Sequence, residues 1–229
     1  MGCALANGHM TAGLKADQRH AGDAMRATSA VIVIGGPPFS GKTTLAKRLA
    51  AQRGYALVAI DDLGTAVRTL TTPQSQPALH PMAGGDDRAY DVAHPPPTLI
   101  EHRRREHPAL WPAMAAVIQA HLQWAGPVLL EGWPLEPERL RSVTQPRLRA
   151  CGLLVDDAVL EARLRADTAC DQGCTDVARF IRHALARSRW MNGRGPRAAV
   201  HEADVGLHVG PEDPADTVAT RCRQRLWPG

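Results

Sequence analysis

The stretch that decides the fold is Gly36-Pro37-Pro38-Phe39-Ser40-Gly41-Lys42-Thr43, which fits the pattern G-x-x-x-x-G-K-[ST] without a mismatch. Because glycine has no Cβ, Gly36 and Gly41 let the backbone bend tightly and present N–H groups to an anion. Lys42 adds a positive charge, and the Thr43 hydroxyl is a ligand for a divalent metal ion. The spacing therefore predicts a loop that binds a phosphate chain together with a metal ion.

The residues around this loop supply the structural context that such a site requires. Residues 31–34 (VIVI) are typical of a fully buried strand, and they lead directly into the loop. A helix is predicted from Lys42 to about Arg53, with Leu45 and Leu49 on one face and Gly54 as its stop. Residues 56–60 are predicted to form a second strand that ends in Asp61-Asp62.

The rest of the chain alternates between strand and helix patterns. Further strands are predicted at 127–130, 151–155 and 205–209, and helices at 63–72, 108–124, 157–166, 175–191 and 214–226. The proline-rich stretch 73–97 is predicted to be irregular, and 73–98 to be a mobile segment that closes over a ligand. Apolar strands that alternate with helices predict a three-layer α/β fold with a central five-stranded parallel sheet. Ligands of such sheets bind beyond the carboxyl ends of the strands.

Composition excludes several classes of protein. The 229 residues carry a net charge of +4, and no apolar run approaches the roughly 18–20 residues of a membrane helix, so no membrane partner is expected. The basic residues are scattered and not interleaved with aromatics, which argues against nucleic acid. Five cysteines without paired spacing and the lack of a secretion signal favour the cytoplasm. We expect a flexible leader at 1–29 and one domain at 30–229.

The loop in its context resembles that of the P-loop NTPases, and residues 36–43 are called the P-loop below. Further features resemble the nucleotide-kinase-like small-molecule kinases, such as gluconate kinases, chloramphenicol phosphotransferases and zeta-type kinases. Asp61, in the run Ala59-Ile60-Asp61-Asp62-Leu63, stands where these families have the acidic residue that takes the proton from the acceptor hydroxyl. The run 128–132 (VLLEG) is like a Walker-B strand with Glu131 in place of aspartate. Residues 180–192 are similar to the arginine-bearing lid helix, also found in 2-phosphoglycerate-kinase-like proteins.

This resemblance implies an ATP- and Mg²⁺-dependent kinase of a small-molecule acceptor, with an acceptor-binding segment at 63–108 and a lid at 170–195. The residues expected to bind ATP are Gly36, Pro37, Pro38, Phe39, Ser40, Gly41, Lys42, Thr43 and Thr44. The expected catalytic residues are Lys42, Asp61, Arg182 and Arg189, and the expected substrate-binding residues are Asp62, Arg68, Arg104 and Glu131. Thr43 and Glu131 are the expected Mg²⁺ ligands, partly through water.

Several of these assignments have a structural alternative. Asp61 and Asp62 also fit a helix N-cap pair, and Glu131 also fits a salt-bridged residue at a strand end. Helical spacing puts Arg179, Arg182 and Arg189 on one face and directs Arg187 elsewhere, but arginines also solvate helix faces. The cluster 103–105 fits either a solvated helix start or an anion receptor. Four tryptophans either wall an acceptor pocket or pack in the core or at its rim: Trp111, Trp124, Trp133 and Trp190.

Three other functions remain open at this point. The P-loop could serve an NTP hydrolase or nucleotide-gated regulator, although no guanine-reading N-K-x-D or T-K-x-D motif is present. It could serve a zeta-toxin-like kinase of a nucleotide sugar. A binding module without catalysis is the third, but intact Lys42, Thr43 and Asp61 argue against it. The sequence does not name the acceptor or the oligomeric state.

Overall fold

The computed structural model describes residues 30–82, 87–143, 145–167, 174, 176–194 and 205–227. The expected leader, residues 1–29, and part of the expected lid lie outside these residues. None of the helices in the described ranges is long and apolar enough to cross a membrane.

The centre of the fold is the expected five-stranded parallel sheet. Its strands are β1 (Val31–Gly35), β2 (Ala56–Ala59), β3 (Val128–Glu131), β4 (Leu148–Val155) and β5 (Val205–Val209), in the order β2-β3-β1-β4-β5. The central strand β1 pairs with β3 and β4, so that Val31 lies beside both Val128 and Leu148. This arrangement puts the carboxyl end of β1, where the P-loop starts, between those of its two neighbours.

Helices cover both faces of the sheet. They are α1 (Lys42–Arg53), α2 (Ile60–Thr69), α3 (Asp87–Ala93), α4 (Pro96–Gln123), α5 (Pro137–Leu140), α6 (Asp157–Ala166), α7 (Val177–Arg194) and α8 (Ala215–Leu226). Gly54 ends α1 in the left-handed conformation, with φ of 66°. A single turn of 3₁₀ helix lies at Pro77–Leu79.

Strand alternation divides the core into two layers. Ile32 and Ile34 face a cluster that includes residues of α1, α6, α7 and α8. Val31 and Val33 point to the opposite face, where they pack with Met114 and other residues of α4. The result is the expected three-layer α/β sandwich.

The region between β2 and β3 is more regular than the sequence predicted. Residues 87–93 form α3, and the helix predicted to begin near residue 108 begins at Pro96, so that Pro108 and Pro112 lie inside it. Pro96 occupies the first turn, where a helix has no use for a backbone N–H donor. Buried residues further along α4, among them Leu110, Met114 and Ile118, anchor it to the core despite the internal prolines.

The prediction that Asp61 and Asp62 close a strand was also wrong. Strand β2 ends at Ala59, and Ile60 starts α2, so both aspartates lie in the first helical turn. Two carboxylates at a helix N-terminus interact favourably with the helix dipole. Because both residues lie in a helix, helical geometry sets the directions of their side chains, and the alternation of a strand does not apply.

Candidate active site

The P-loop connects β1 to α1 with a backbone that needs glycine at two positions. Gly36 has φ of 143° and Gly41 has φ of 89°, both in the range that L side chains rarely adopt. A Cβ on Gly36 would also lie 3.1 Å from Leu153 and from the Ser40 hydroxyl. Phe39, with φ of 63°, is the non-glycine residue with positive φ in the described ranges. The loop is therefore a tightly turned structure.

Lys42 stands in the first turn of α1 and is 7% exposed. Burial lowers the pKa of Lys42, whereas the negative charges of Glu131 and Asp61 raise it. The structure thus brings together three residues that the sequence singled out, and it surrounds a buried cation with two carboxylates.

Arg163 of α6 braces the outer side of the loop. Its Nη1 donates hydrogen bonds to the carbonyl oxygens of Phe39 (3.1 Å) and Ser40 (2.7 Å). In a trans peptide the C=O and the following N–H point in opposite directions. The bond to the Ser40 carbonyl therefore directs the Gly41 N–H away from α6. No sequence pattern identifies Arg163, because its partners are backbone atoms more than 120 residues away.

Thr43 and Glu131, which we expected to be Mg²⁺ ligands, are hydrogen-bonded to each other. The Thr43 hydroxyl donates a hydrogen bond of 3.0 Å to Oε1 of Glu131, which is 3% exposed. Oε2 of Glu131 is buried, with no hydrogen-bond partner in the described part of the chain. Burial raises the pKa of Glu131, while Lys42 and the bond from Thr43 lower it. A buried carboxylate oxygen without a partner, next to a threonine hydroxyl, fits Mg²⁺.

Within the described residues, no group of three or more His, Cys, Asp or Glu side chains could hold a metal ion. Mg²⁺ does not need one, because it usually binds through one or two protein ligands, substrate phosphates and water. Two oxygen ligands from the protein would therefore be enough for Mg²⁺.

A cavity of about 550 Å³ extends from the P-loop between the helices. It is bounded by Pro38, Phe39 and Lys42 at one end, and α2, α3, α4 and α7 contribute to its walls. Charged residues lining it are Lys42, Asp61, Arg68, Asp87, Arg88, Asp91, Arg103, Glu106 and Arg187. The cavity is large enough for a small molecule beside a bound phosphate chain.

Asp61 and Asp62 differ in their relation to this cavity. Asp61 lines it, and its Oδ1 accepts a hydrogen bond of 3.0 Å from Nε1 of Trp133. Asp62 is exposed and is not among the residues that line the cavity. Of the four tryptophans considered, Trp133 and Trp190 line the cavity, Trp111 is partly buried and packs against the core, and Trp124 is 80% exposed.

A buried carboxylate organises two arginines on the cavity wall. Glu106 of α4, 3% exposed, pairs with Arg68 of α2 at 3.3 Å and with Arg103 of α4 at 2.5 Å. The Arg103 guanidinium also lies over the Trp133 ring, 4.3 Å from its centroid. Arg104, which we expected at the substrate, instead pairs with Glu101 at 3.9 Å and does not line the cavity.

The expectation for α7 was wrong about which arginine points to the cavity. Arg182 is exposed, and Arg189 is 64% exposed and bonded to Asp157. Arg187 lines the cavity, is 9% exposed and forms a two-pronged ion pair with Asp91 of α3, at 2.7 and 2.6 Å. Burial lowers the pKa of Arg187, and Asp91 counteracts this effect.

The reason for this difference is the phase of the helix. Phe180, Ala184 and Arg187 are spaced by four and three residues, so they share the stripe that α7 buries. The spacing of Arg182 and Arg189 shows only that they share a face, not which face meets the core. Following the apolar stripe would have identified Arg187.

Several solved structures have a similar fold. The chain is similar to a gluconokinase from Sinorhizobium meliloti, with 17% identity, a TM-score of 0.51, and coverage of 86% of this chain and 91% of that one. It is also similar to a shikimate kinase from Acinetobacter baumannii in complex with shikimate, with 14% identity, a TM-score of 0.53, and coverage of 88% and 94%. A sugar kinase from Janibacter matches with 16% identity and a TM-score of 0.50, over 86% and 93%.

The chain has the fold of the P-loop small-molecule kinases. No protein-family model matches its sequence, and no curated protein sequence matches it. The P-loop kinase fold thus appears here with little sequence similarity to the solved structures.

Proposed function

We propose that the protein is an ATP- and Mg²⁺-dependent phosphotransferase that phosphorylates a hydroxyl group of a small molecule. The observation that carries this proposal is that Lys42 and Asp61 line one cavity. The cavity therefore contains a positive charge that can bind phosphate and a carboxylate that can accept the proton of a hydroxyl group. The shared fold with P-loop small-molecule kinases supports the same class of reaction.

On the donor side, the P-loop and Lys42 hold the phosphates of ATP. Thr43 and Glu131 hold Mg²⁺, which when bound neutralises phosphate charge. Arg163 keeps the loop in its turned conformation through the Phe39 and Ser40 carbonyls. Phosphoryl transfer depends on such positioning and charge neutralisation more than on covalent help from the protein.

On the acceptor side, Asp61 accepts the proton of the acceptor hydroxyl. The hydroxyl oxygen forms a bond to the terminal phosphorus, and the bond from that phosphorus to the bridging oxygen of ADP breaks. Arg187, which lines the same cavity, contributes positive charge near the transferred group. The products are the phosphorylated acceptor and ADP.

The far wall of the cavity suggests the charge of the acceptor. Arg68 and Arg103 share the single carboxylate of Glu106, so one positive charge remains there. Each guanidinium has five N–H donors, and Glu106 engages one nitrogen of each. We therefore propose an acceptor that carries a hydroxyl together with an anionic group.

The test is ADP release measured with and without pooled metabolites, in the presence of ATP and Mg²⁺. A kinase releases ADP at a rate that rises at least tenfold with a pool that contains the acceptor. An NTP hydrolase releases ADP at the same rate in every pool, and that result would contradict the proposal. Splitting an active pool, with the products read by mass, identifies the acceptor.

A further inference from the structure

We infer that Trp133 is a positioning residue, which holds the carboxylate of Asp61 in the orientation needed to receive the acceptor's proton. The inference rests on the proposed function. The contact behind it is the hydrogen bond of 3.0 Å from the indole Nε1 of Trp133 to Oδ1 of Asp61. Both residues line the cavity. The two side chains come from different elements, since Asp61 belongs to α2 and Trp133 follows β3.

The indole ring is itself held from two sides. The Arg103 guanidinium lies over it at 4.3 Å, and the ring of His107 meets it edge-on, with centroids 4.7 Å apart. Each of these neighbours is anchored in turn. Arg103 pairs with the buried Glu106, and the fully buried His107 bonds to Glu136 at 2.8 Å. The N–H of Trp133 therefore has a fixed direction.

The backbone brings the two residues together through Gly132. A Cβ at this position would lie 2.6 Å from the Cβ of Ile60, closer than real atoms approach. The end of β3 therefore contacts the start of α2 directly, and only glycine permits this approach. Because Ile60 precedes Asp61 and Gly132 precedes Trp133, the contact between the first pair brings the second pair within hydrogen-bonding distance.

This arrangement matters because Asp61 is an exposed side chain on the first turn of a helix. Without a fixed partner, its carboxylate would rotate among several rotamers. The indole N–H engages Oδ1 and so leaves Oδ2 for the acceptor hydroxyl. Holding a reacting group in place raises the rate of the chemical step, so the effect belongs in kcat more than in KM.

Residues 131–133, at the end of β3, also link the donor side of the site to its acceptor side. Glu131 reaches the P-loop through Thr43, and Trp133, two residues later, reaches Asp61. The carboxyl end of β3 therefore fixes a donor-side group and an acceptor-side group within three consecutive residues. A wall residue that only packs against the acceptor would not need this hydrogen bond.

The kinetic test compares Trp133→Phe with Trp111→Phe. Phenylalanine keeps an aromatic ring beside Arg103 and His107 but has no N–H donor. With the acceptor found by the ADP-release screen, we expect kcat of Trp133→Phe to fall about tenfold or more, as for the loss of a hydrogen bond to a charged group. KM for ATP and acceptor should stay within about threefold. Trp111, which is partly buried against the core and does not line the cavity, controls for the general effect of such a replacement.

A second measurement does not need the acceptor. The indole N–H resonance of Trp133 is assigned in a ¹⁵N NMR spectrum by its loss in Trp133→Phe. Asp61→Ala should shift this resonance, whereas Asp62→Ala should leave it in place. If the chemical shift of the Trp133 indole N–H does not change in Asp61→Ala, the inference is wrong.

The kinetic outcomes separate the inference from the proposed function. Acceptor-dependent turnover with an unchanged kcat in Trp133→Phe overturns only the role of Trp133. A rise in KM with kcat unchanged does the same, because it describes a wall of the pocket. If the wild-type protein shows no acceptor-dependent turnover, the proposed function fails, and the role of Trp133 fails with it.

Discussion

The hydroxyl of Thr43 donates a hydrogen bond of 3.0 Å to the carboxylate of Glu131, although 88 residues separate them in the chain. This bond joins the first turn of α1 to the end of β3. It leaves Oε2 of Glu131 buried and without a partner in the described part of the chain. Burying a carboxylate oxygen without a partner has an energetic cost, which a bound Mg²⁺ would remove.

Glu131→Gln tests this cost, because it removes the charge but keeps the shape. Burial raises the pKa of Glu131 above its ordinary value of 4.5. Between that value and the raised one, the folded state holds a proton that the unfolded state has released, so stability falls as pH rises. We expect Glu131→Gln to be at least as stable as wild type at pH 7, with a difference that shrinks toward pH 4.5.

Thermal unfolding of both proteins across this pH range measures the effect. The same variant should need at least about tenfold more Mg²⁺ for nucleotide binding, as is typical when a residue that supports a metal is lost. A variant that is less stable at pH 7 and has an unchanged Mg²⁺ requirement would show that Glu131 has only a structural role.

Asp61→Asn and Asp62→Asn form a matched pair on the first turn of α2. Asparagine keeps the shape of Asp61 but cannot take a proton, so acceptor phosphorylation should fall by about 10²–10⁴. Asp62 does not line the cavity, so its replacement should cost far less. Acceptor-dependent ADP formation and nucleotide affinity are measured for both. If only Asp62→Asn is impaired, the assignment is reversed, and if neither is impaired, Glu131 is the next candidate.

Arg163→Met and Arg165→Met separate bracing of the P-loop from general effects on α6. Arg163 donates to the Phe39 and Ser40 carbonyls, whereas Arg165 is 62% exposed and pairs with Glu161 on its own helix. Loss of the brace should weaken binding of an ATP analogue with Mg²⁺ about tenfold, or about 1.4 kcal/mol. Calorimetric titration measures this, and equal affinities in the two variants would exclude a role for the brace.

Asp91→Asn and Asp157→Asn compare a buried ion pair with an exposed one. Asp91→Asn leaves the buried Arg187 without its counter-charge, which should cost about 3–5 kcal/mol of unfolding free energy. The pair of Asp157 with Arg189 is exposed and should contribute about 0–1 kcal/mol. Urea unfolding of wild type and both variants measures these losses of unfolding free energy. Similar losses would mean that the Arg187 pair adds little to stability.

Local patterns in the sequence were sufficient to predict the sheet and the P-loop. A β-branched run, a glycine turn and a periodic helix follow one another without a break at residues 31–53, and each agrees with the next. The position of Lys42, Thr43 and Glu131 follows from the parallel topology, because neighbouring strands end at the same edge. These parts of the site depend on the chain order alone.

The acceptor side could not be predicted in the same way. Its walls come from packing between α2, α3, α4 and α7, which no local pattern specifies. Arg103 lies inside α4, although the prolines suggested that the helix began later. Its partner Glu106 is buried and pairs with Arg68 of α2, which packs against α4. The link between Trp133 and Asp61 depends on the close approach at Gly132, which only the structure reveals.

The most direct measurement of the central claim follows the terminal phosphate of ATP labelled at that position. The wild-type protein and Lys42→Ala are incubated with Mg²⁺, labelled ATP and the active metabolite pool. We predict that the wild type moves the label into an organic product, and that Lys42→Ala does so about 10²–10³ times more slowly while keeping its fold. Label released only as inorganic phosphate, or transfer by Lys42→Ala within threefold of wild type, would contradict the assignment of a P-loop kinase.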